Sequence, residues 1–270
     1  MRKNHGVLVH KSCENDQFLE IRDNGDHRSL YFDSGYLQGQ MSLSTPESLV
    51  VSYTWYMLTA LLLSPEPQKI LVLGIGAGSF IRFFRHHFPN CVIDAVDNSA
   101  TVIRAAEKFF RISQSQNLSI FCNDGYRFLE KTHGNNYDII LVDAFDAKGM
   151  APTIYDAPCL ARMAEKLSPK GIISFNFWSS DTARLQQIKR LLANQFQGNI
   201  YLPVPDRANI VGLAMASEIP WSKICRKKAA LRIYTRKYGF NFGKIIQVAK
   251  QNNFTFAQKL TSALKPFHGK

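Results

Sequence analysis

The chain has 270 residues, 46% of them hydrophobic and 20% charged, which suits one large domain with smaller additions and excludes wholesale disorder. The net charge of +12 is unevenly placed: residues 217–270 hold twelve Lys/Arg against Glu218 alone, while the remainder balances 21 basic against 20 acidic side chains. The polar start MRKNHGVLVH does not read as a signal-peptide core, and the uncharged stretch Ser48–Pro65, with its Ser, Thr and Tyr residues, reads as a buried helix and not a membrane span. Five scattered cysteines without a CxxC spacing argue against a disulfide framework or a zinc site, so a reduced, cytoplasmic setting is expected.

Residues 7–43 read as β-structure, in short apolar runs separated by turn residues such as Asp23-Asn24-Gly25-Asp26. Thr45-Pro46-Glu47 then predicts a helix opening there and running through Leu63, broken by Ser64-Pro65-Glu66-Pro67. From Lys69 strands and helices alternate. Strands are expected at 69–74, 91–97, 118–122, 137–143 and 171–177, with helices at 77–88, 99–111, 125–132, 155–167 and 181–196. Runs 199–204 and 209–216 close the series as an adjacent strand pair. This alternation predicts an α/β fold, a Rossmann-like, mostly parallel sheet of seven strands with helices on both faces. The expected divisions are a β-segment over 1–45, a nucleotide-binding domain over 46–216, and a basic, helical extension over 217–270. That extension interleaves its charges with Trp221, Ile224, Leu231, Ile233, Phe240, Phe242, Ile245, Ile246 and Val248. Packing against the body is therefore favoured over a mobile arm for nucleic acid or an anionic surface.

Four motifs carry chemistry. Gly74-Ile75-Gly76-Ala77-Gly78-Ser79 follows the first strand directly, where glycines let backbone approach a ligand at a helix N-terminus. Ser79 stands where GxGxxG would need its last glycine, so the turn fits GxGxG nucleotide binders of the S-adenosylmethionine kind. Asp97 ends the second strand, placed to accept ribose hydroxyls. Asp124-Gly125 follows the third strand; Asp124 suits both an adenine amine and a helix N-cap. Asp143 and Asp146 follow the fourth strand, a carboxylate pair suited to an amine substrate. His86-His87 lacks a third ligand at useful spacing, so no metal is expected. Phe175, Phe177 and Trp178 read as core or pocket wall.

These residues resemble the spermidine synthase family of polyamine aminopropyltransferases, over about residues 30–217. The segments LQGQMSL, YTWYML, the glycine-rich turn, NDGYRFL and YDIILVDAFDA carry the likeness. The resemblance implies transfer of an aminopropyl group from decarboxylated S-adenosylmethionine to a diamine such as putrescine, in polyamine biosynthesis. It places Gln40, Asp97 and Asp124 at the nucleotide and Asp143 and Asp146 at the reaction. A small-molecule amine substrate and a homodimer are expected. The sequence departs from the family pattern in four places. Ala77 replaces the turn's Asp, Thr54-Trp55-Tyr56 replaces a YHE triplet, Asn176 replaces a Gln, and Pro205 replaces a Tyr of the diamine pocket. Without an Asp at 77, intact S-adenosylmethionine meets no repulsion, which keeps a methyltransferase or a noncatalytic nucleotide- or polyamine-binding homologue as alternatives.

Overall fold

The computed structural model describes residues 6–14, 17–32, 35, 37–132, 134, 136–146, 149–221, 224 and 228–253. The N-terminal segment is an antiparallel meander of β1 (Val7–Glu14), β2 (Gln17–Asn24), β3 (His27–Phe32) and β4 (Leu37–Ser42). Leu19, Ile21, Leu30 and Met41 share its buried face and pack with Ala77, Val102, Ala105 and Phe110. The small sheet is thereby seated beside the glycine-rich turn.

The predicted helix from Pro46 starts later than expected. Residues 43–51 are turns and extended chain, and α1 spans only Ser52–Met57, continued by a 3-10 turn at Leu58–Leu62. Polar side chains hold the segment out of a helix: Ser44 N donates to Asp26 Oδ1 at 2.9 Å, Thr45 N to Ser42 Oγ at 2.9 Å, and Arg82 Nε to the Pro46 carbonyl at 2.7 Å. Such local bonds compete with helical ones.

The main sheet has seven strands: β5 (Lys69–Leu73), β6 (Val92–Asp97), β7 (Leu118–Cys122), β8 (Tyr137–Val142), β11 (Leu167–Trp178), β12 (Gly198–Pro203) and β13 (Asn209–Met215). β9 (Phe145–Asp146) and β10 (Gly149–Met150) form a separate short ribbon. The spatial order is β12-β13-β11-β8-β5-β6-β7, and β13 runs antiparallel to both its neighbours. Burial on both faces explains the continuous apolar runs. Ile70, Val72, Ile139 and Leu141 enter one core, and Leu71, Leu73, Ile140 and Val142 the other. The intervening helices are α2 (Ser79–His87), α3 (Ala100–Phe109), α4 (Gly125–Lys131), α5 (Ala157–Lys166) and α6 (Thr182–Gln195). β11 begins four residues before the expected Gly171, with a register irregularity between Leu167 and Ile172.

The basic extension adds α7 (Lys228–Tyr238) and α8 (Phe242–Asn253). Trp221, Ile224, Leu231, Phe240, Phe242, Ile245 and Ile246 are buried in the core that holds Ile200, Leu202 and Met215. Ile233 is the exception, 64% exposed. Asn253 grips the edge strand: its amide donates to the Tyr201 carbonyl and its carbonyl accepts from Tyr201 N, both at 2.6 Å. Among the described residues no helix is long and apolar enough to cross a membrane. Cys91 and Cys159 are buried, and burial pushes each thiol up to about 12. Cys13 and Cys122 are exposed, and Cys225 lies outside the described residues.

Candidate active site

In this strand order β5 has β6 on one side and β8 on the other, so the chain reverses its winding direction between β5 and β8. Ligands of open α/β sheets gather at the carboxyl ends of strands at such a point. A cavity of about 490 Å³ opens there, lined by residues following β5, β6, β7 and β8, with β4 and the β12–β13 turn over it.

The glycine-rich turn forms its floor. Gly74 N donates to the Val96 carbonyl and Asp143 N to the Leu73 carbonyl, both at 2.8 Å, which draws the ends of β5, β6 and β8 together. Gly74 has φ 94°, and a Cβ there would lie 2.2 Å from the Asp143 carbonyl oxygen. Gly76 has φ 50°, and a Cβ there would meet nothing closer than the Gln38 carbonyl oxygen at 3.9 Å, so its open side faces the cavity. Gly78 is the N-cap of α2 and does not line the cavity. Ala77 does, with its methyl against Gly39.

Asp97 reaches back to this turn. Its carboxylate accepts from Ile75 N at 2.9 Å and Ser99 N at 3.0 Å. Burial pushes its pKa up, and the backbone N–H groups of Ser99, Ile75 and Gly76 pull it back. Asp124 caps α4 through Arg127 N at 3.0 Å, and also lines the cavity with Gly125. Both readings of Asp124 are thus geometrically open at once.

Asp143 sits at the end of β8 with both carboxylate oxygens engaged. Tyr53 Oη donates to Oδ2 at 2.8 Å and Asn176 Nδ2 to Oδ1 at 2.9 Å; Asn209 Nδ2 in turn donates to Asn176 Oδ1 at 2.9 Å. Burial raises the Asp143 pKa, against the lowering effect of the Asn176 and Tyr53 bonds. Asp146 lies on β9 opposite Gly149, and its backbone alone is described. Trp178 closes this side, 5.6 Å from the Phe145 ring, whereas Phe175 and Phe177 are buried core.

Two placements differ from the sequence reading. Gln40 does not line the cavity: its amide donates to Ser29 Oγ at 3.0 Å. Gln38 lines it instead, because the β3–β4 register slips between Leu30↔Gly39 and Tyr31↔Leu37 and leaves Gln38 as an extra residue. In α1 the side chain on the site is Tyr53. Thr54 turns back to the Val51 carbonyl, and Tyr56 is buried in the core. Arg207, in the β12–β13 turn, and Asn209, the first residue of β13, also line the cavity and were not singled out from sequence; no spacing marks residues at a turn of this kind.

A model of the spermine/spermidine synthase domain matches residues 55–202. A polyamine aminopropyltransferase of Chromobacterium violaceum is 32% identical over 240 residues, which cover 87% of this chain and 90% of the relative. The chain belongs to the spermine/spermidine synthase family. The fold agrees: a solved spermidine synthase in complex with the transition-state analogue AdoDATO superposes with a TM-score of 0.68 at 16% identity, covering 96% of this chain and 89% of that one. Human methyltransferase-like protein 13 in complex with SAH superposes at 0.59 with 20% identity, covering 82% and 96%. Both show the fold alone.

Proposed function

We propose that the chain is an aminopropyltransferase that moves the aminopropyl group of decarboxylated S-adenosylmethionine to the nitrogen of a primary amine. A diamine such as putrescine is the acceptor implied by the resemblance. The observation that carries this is Asp143: a half-buried carboxylate with a raised pKa, placed between the glycine-rich turn and an amide-and-tyrosine wall, in a chain of this family. In this reading Asp97 accepts the ribose hydroxyls and Asp124 the adenine amine. Gly74, Gly76, Gly78 and Gly125 shape the backbone around the nucleotide, and Gln38 is placed for the contact first assigned to Gln40. The reaction takes place in the cytoplasm, and the exposed Val7, Leu8, Val9 and Phe18 of β1 and β2 suit contact with a second copy in a homodimer.

The sulfonium is already an activated leaving group, so the protein's task is to place and deprotonate the amine. The amine nitrogen attacks the carbon beside sulfur, forming a C–N bond. The C–S bond breaks and its electron pair stays on sulfur, leaving neutral methylthioadenosine. The extra proton on nitrogen passes to Asp143, whose raised pKa makes it a better acceptor than an ordinary carboxylate. Asp146 orients the acceptor. Ala77 leaves room for a second reading, methyl transfer from intact S-adenosylmethionine, since no carboxylate of the turn repels the methionine carboxylate.

Product analysis with each donor tests the assignment. Methylthioadenosine is expected from the decarboxylated donor, and Asp143→Asn should lower its formation by about 10²–10⁴-fold, the range for a general base. Release of S-adenosylhomocysteine from the intact donor, without methylthioadenosine, would establish methyl transfer in its place.

A further inference from the structure

We infer that Asn209 is a positioning residue for the base: it fixes which end of the Asn176 amide faces Asp143. This rests on the transfer reading above, in which Asp143 takes the acceptor's proton. The sheet brings the three side chains together. Phe175 pairs with Val142 in the parallel register of β11 and β8, so Asn176 and Asp143 follow side by side. Asn209 pairs with Trp178 in the antiparallel register of β11 and β13, which sets it two residues from Asn176 on the same face. Its backbone is held on both sides. The Asn209 carbonyl accepts from Val204 N and the Ala208 carbonyl from Ser179 N, both at 3.0 Å.

An asparagine amide has nearly the same shape either way round, so its hydrogen-bond partners choose its orientation. Here both partners agree. Asn176 Nδ2 donates to Asp143 Oδ1, and Asn176 Oδ1 accepts from Asn209 Nδ2, each at 2.9 Å. The main chain cannot move to compensate, because Tyr155 Oη donates to the Asn176 backbone carbonyl at 3.1 Å. Asn176 is only 2% exposed, and among the described residues Asn209 is the donor to its side-chain oxygen. Removing that donor leaves a buried oxygen unpaired and frees the amide to turn. A turned amide would set its oxygen against the Asp143 carboxylate.

The consequence falls on the charge of Asp143. Burial raises its pKa, and the Asn176 and Tyr53 bonds oppose that rise. Without the Asn176 donor, Asp143 keeps its proton to higher pH, and a protonated Asp143 cannot take one from the amine. Among the described residues, the other titratable groups around it are Tyr53 of α1 and Tyr155 of the 3-10 turn Pro152–Tyr155, with Asp97, Asp124 and Arg207 on the cavity wall. Exchanging the Asn209 amide for an uncharged side chain alters none of these charges, so a moved Asp143 titration reports on Asn176.

The pH profile of methylthioadenosine release from putrescine tests this, with variants close to Asn in size. Asn209→Leu should move the acid limb of kcat/KM to higher pH by up to about one pH unit, the range for one neutral hydrogen bond. Asn209→Asp can only accept, so it should draw Asn176 Nδ2 toward itself and move the limb further. A cycle with Asn176→Leu separates any direct effect. In that background Asn209→Leu should move nothing, and whatever Asn209→Asp still does is its bare charge. A merely structural Asn209 would change the urea midpoint and leave the limb where it was. An acid limb unmoved by Asn209→Leu, or moved as far in the Asn176→Leu background, overturns the inference while leaving aminopropyl transfer intact. The Asp143 carboxyl can also be titrated without turnover, by NMR of isotope-labelled aspartate assigned with Asp143→Asn. If no amine yields methylthioadenosine, the transfer reading falls, and the same variants in this titration still accept or reject the link from Asn209 to Asp143.

Discussion

At the scale of single residues the site is organised around one carboxylate in the wrong solvent. Asp143 lies where its charge is poorly solvated, and two donors partly compensate: the Tyr53 hydroxyl and the Asn176 amide. Both bonds favour the charged form, so each lowers a pKa that burial has raised. Tyr53→Phe removes one of them without changing the packing of the ring. The Asp143 pKa should then rise further, and the acid limb of the kcat/KM profile should move to higher pH by about one to two units. That span corresponds to one hydrogen bond to a charged group. Activity well above that limb should change little if Tyr53 only positions and tunes Asp143. A pH–rate profile of the variant checks this, and an unmoved acid limb would show that Tyr53 does not set the charge state of Asp143. The sequence points one residue too late in this helix, to Thr54-Trp55-Tyr56. The phase of a six-residue helix depends on where it begins, and side-chain bonds from Asp26, Ser42 and Arg82 determine that from far along the chain.

At the scale of elements, the turn after β5 does two jobs that two of its glycines separate. Gly74 is a structural glycine: a Cβ would collide with the carbonyl that ends β8, and its φ of 94° disfavours any side chain. Gly74→Ala should destabilise the fold by about 2–5 kcal/mol, combining overpacking with left-handed strain. Gly76 faces open cavity, so Gly76→Ala should cost only about 1–2 kcal/mol of stability but weaken methylthioadenosine binding, because the methyl occupies ligand space. Urea unfolding and calorimetry of the two variants should show these opposite priorities; equal losses in both would contradict the division. The strand–helix alternation and the four strand-end motifs were legible because a buried parallel strand leaves a long apolar run and its end leaves a Gly or Asp. The bulge at Gln38, the cap-like turns of 43–51 and the loop carrying Arg207 were not. Their placement follows from register and from contacts between distant segments, which local pattern does not encode.

At the scale of the whole molecule, six of the extension's twelve Lys/Arg lie on the same two helices that bring Leu231, Tyr238, Phe242, Ile245 and Ile246 into the core. In α7 and α8 Leu231, Tyr238, Phe242, Ile245, Ile246 and Ala249 enter the core, while Arg232, Arg236, Lys237, Lys244 and Lys250 are exposed with Ile233. Phe242 is fully buried and packs 4.7 Å from Phe240, which stacks on Trp55 of α1 at 6.4 Å. Tyr238 lies 5.3 Å from Phe83 of α2, so the extension covers the two helices that flank the glycine-rich turn and carry Tyr53. Its edge contact works similarly: Asn253 satisfies the Tyr201 N–H and carbonyl that an edge strand would otherwise present to another chain. The extension is therefore expected to be part of the folding unit. Phe242→Ala should destabilise the protein by about 3–5 kcal/mol, the range for emptying a buried aromatic site. Reversing the exposed Arg232 and Lys244 to Glu should leave stability within about 0.5 kcal/mol, as for ordinary surface changes. Urea midpoints of both variants decide between a packed extension and a separate basic arm. If Phe242→Ala leaves the midpoint of the body unchanged, the helices contribute nothing to its stability. Salt-dependent binding of nucleic acid, tracked over a range of ionic strength, would then be the property to examine in the charge-reversed variant.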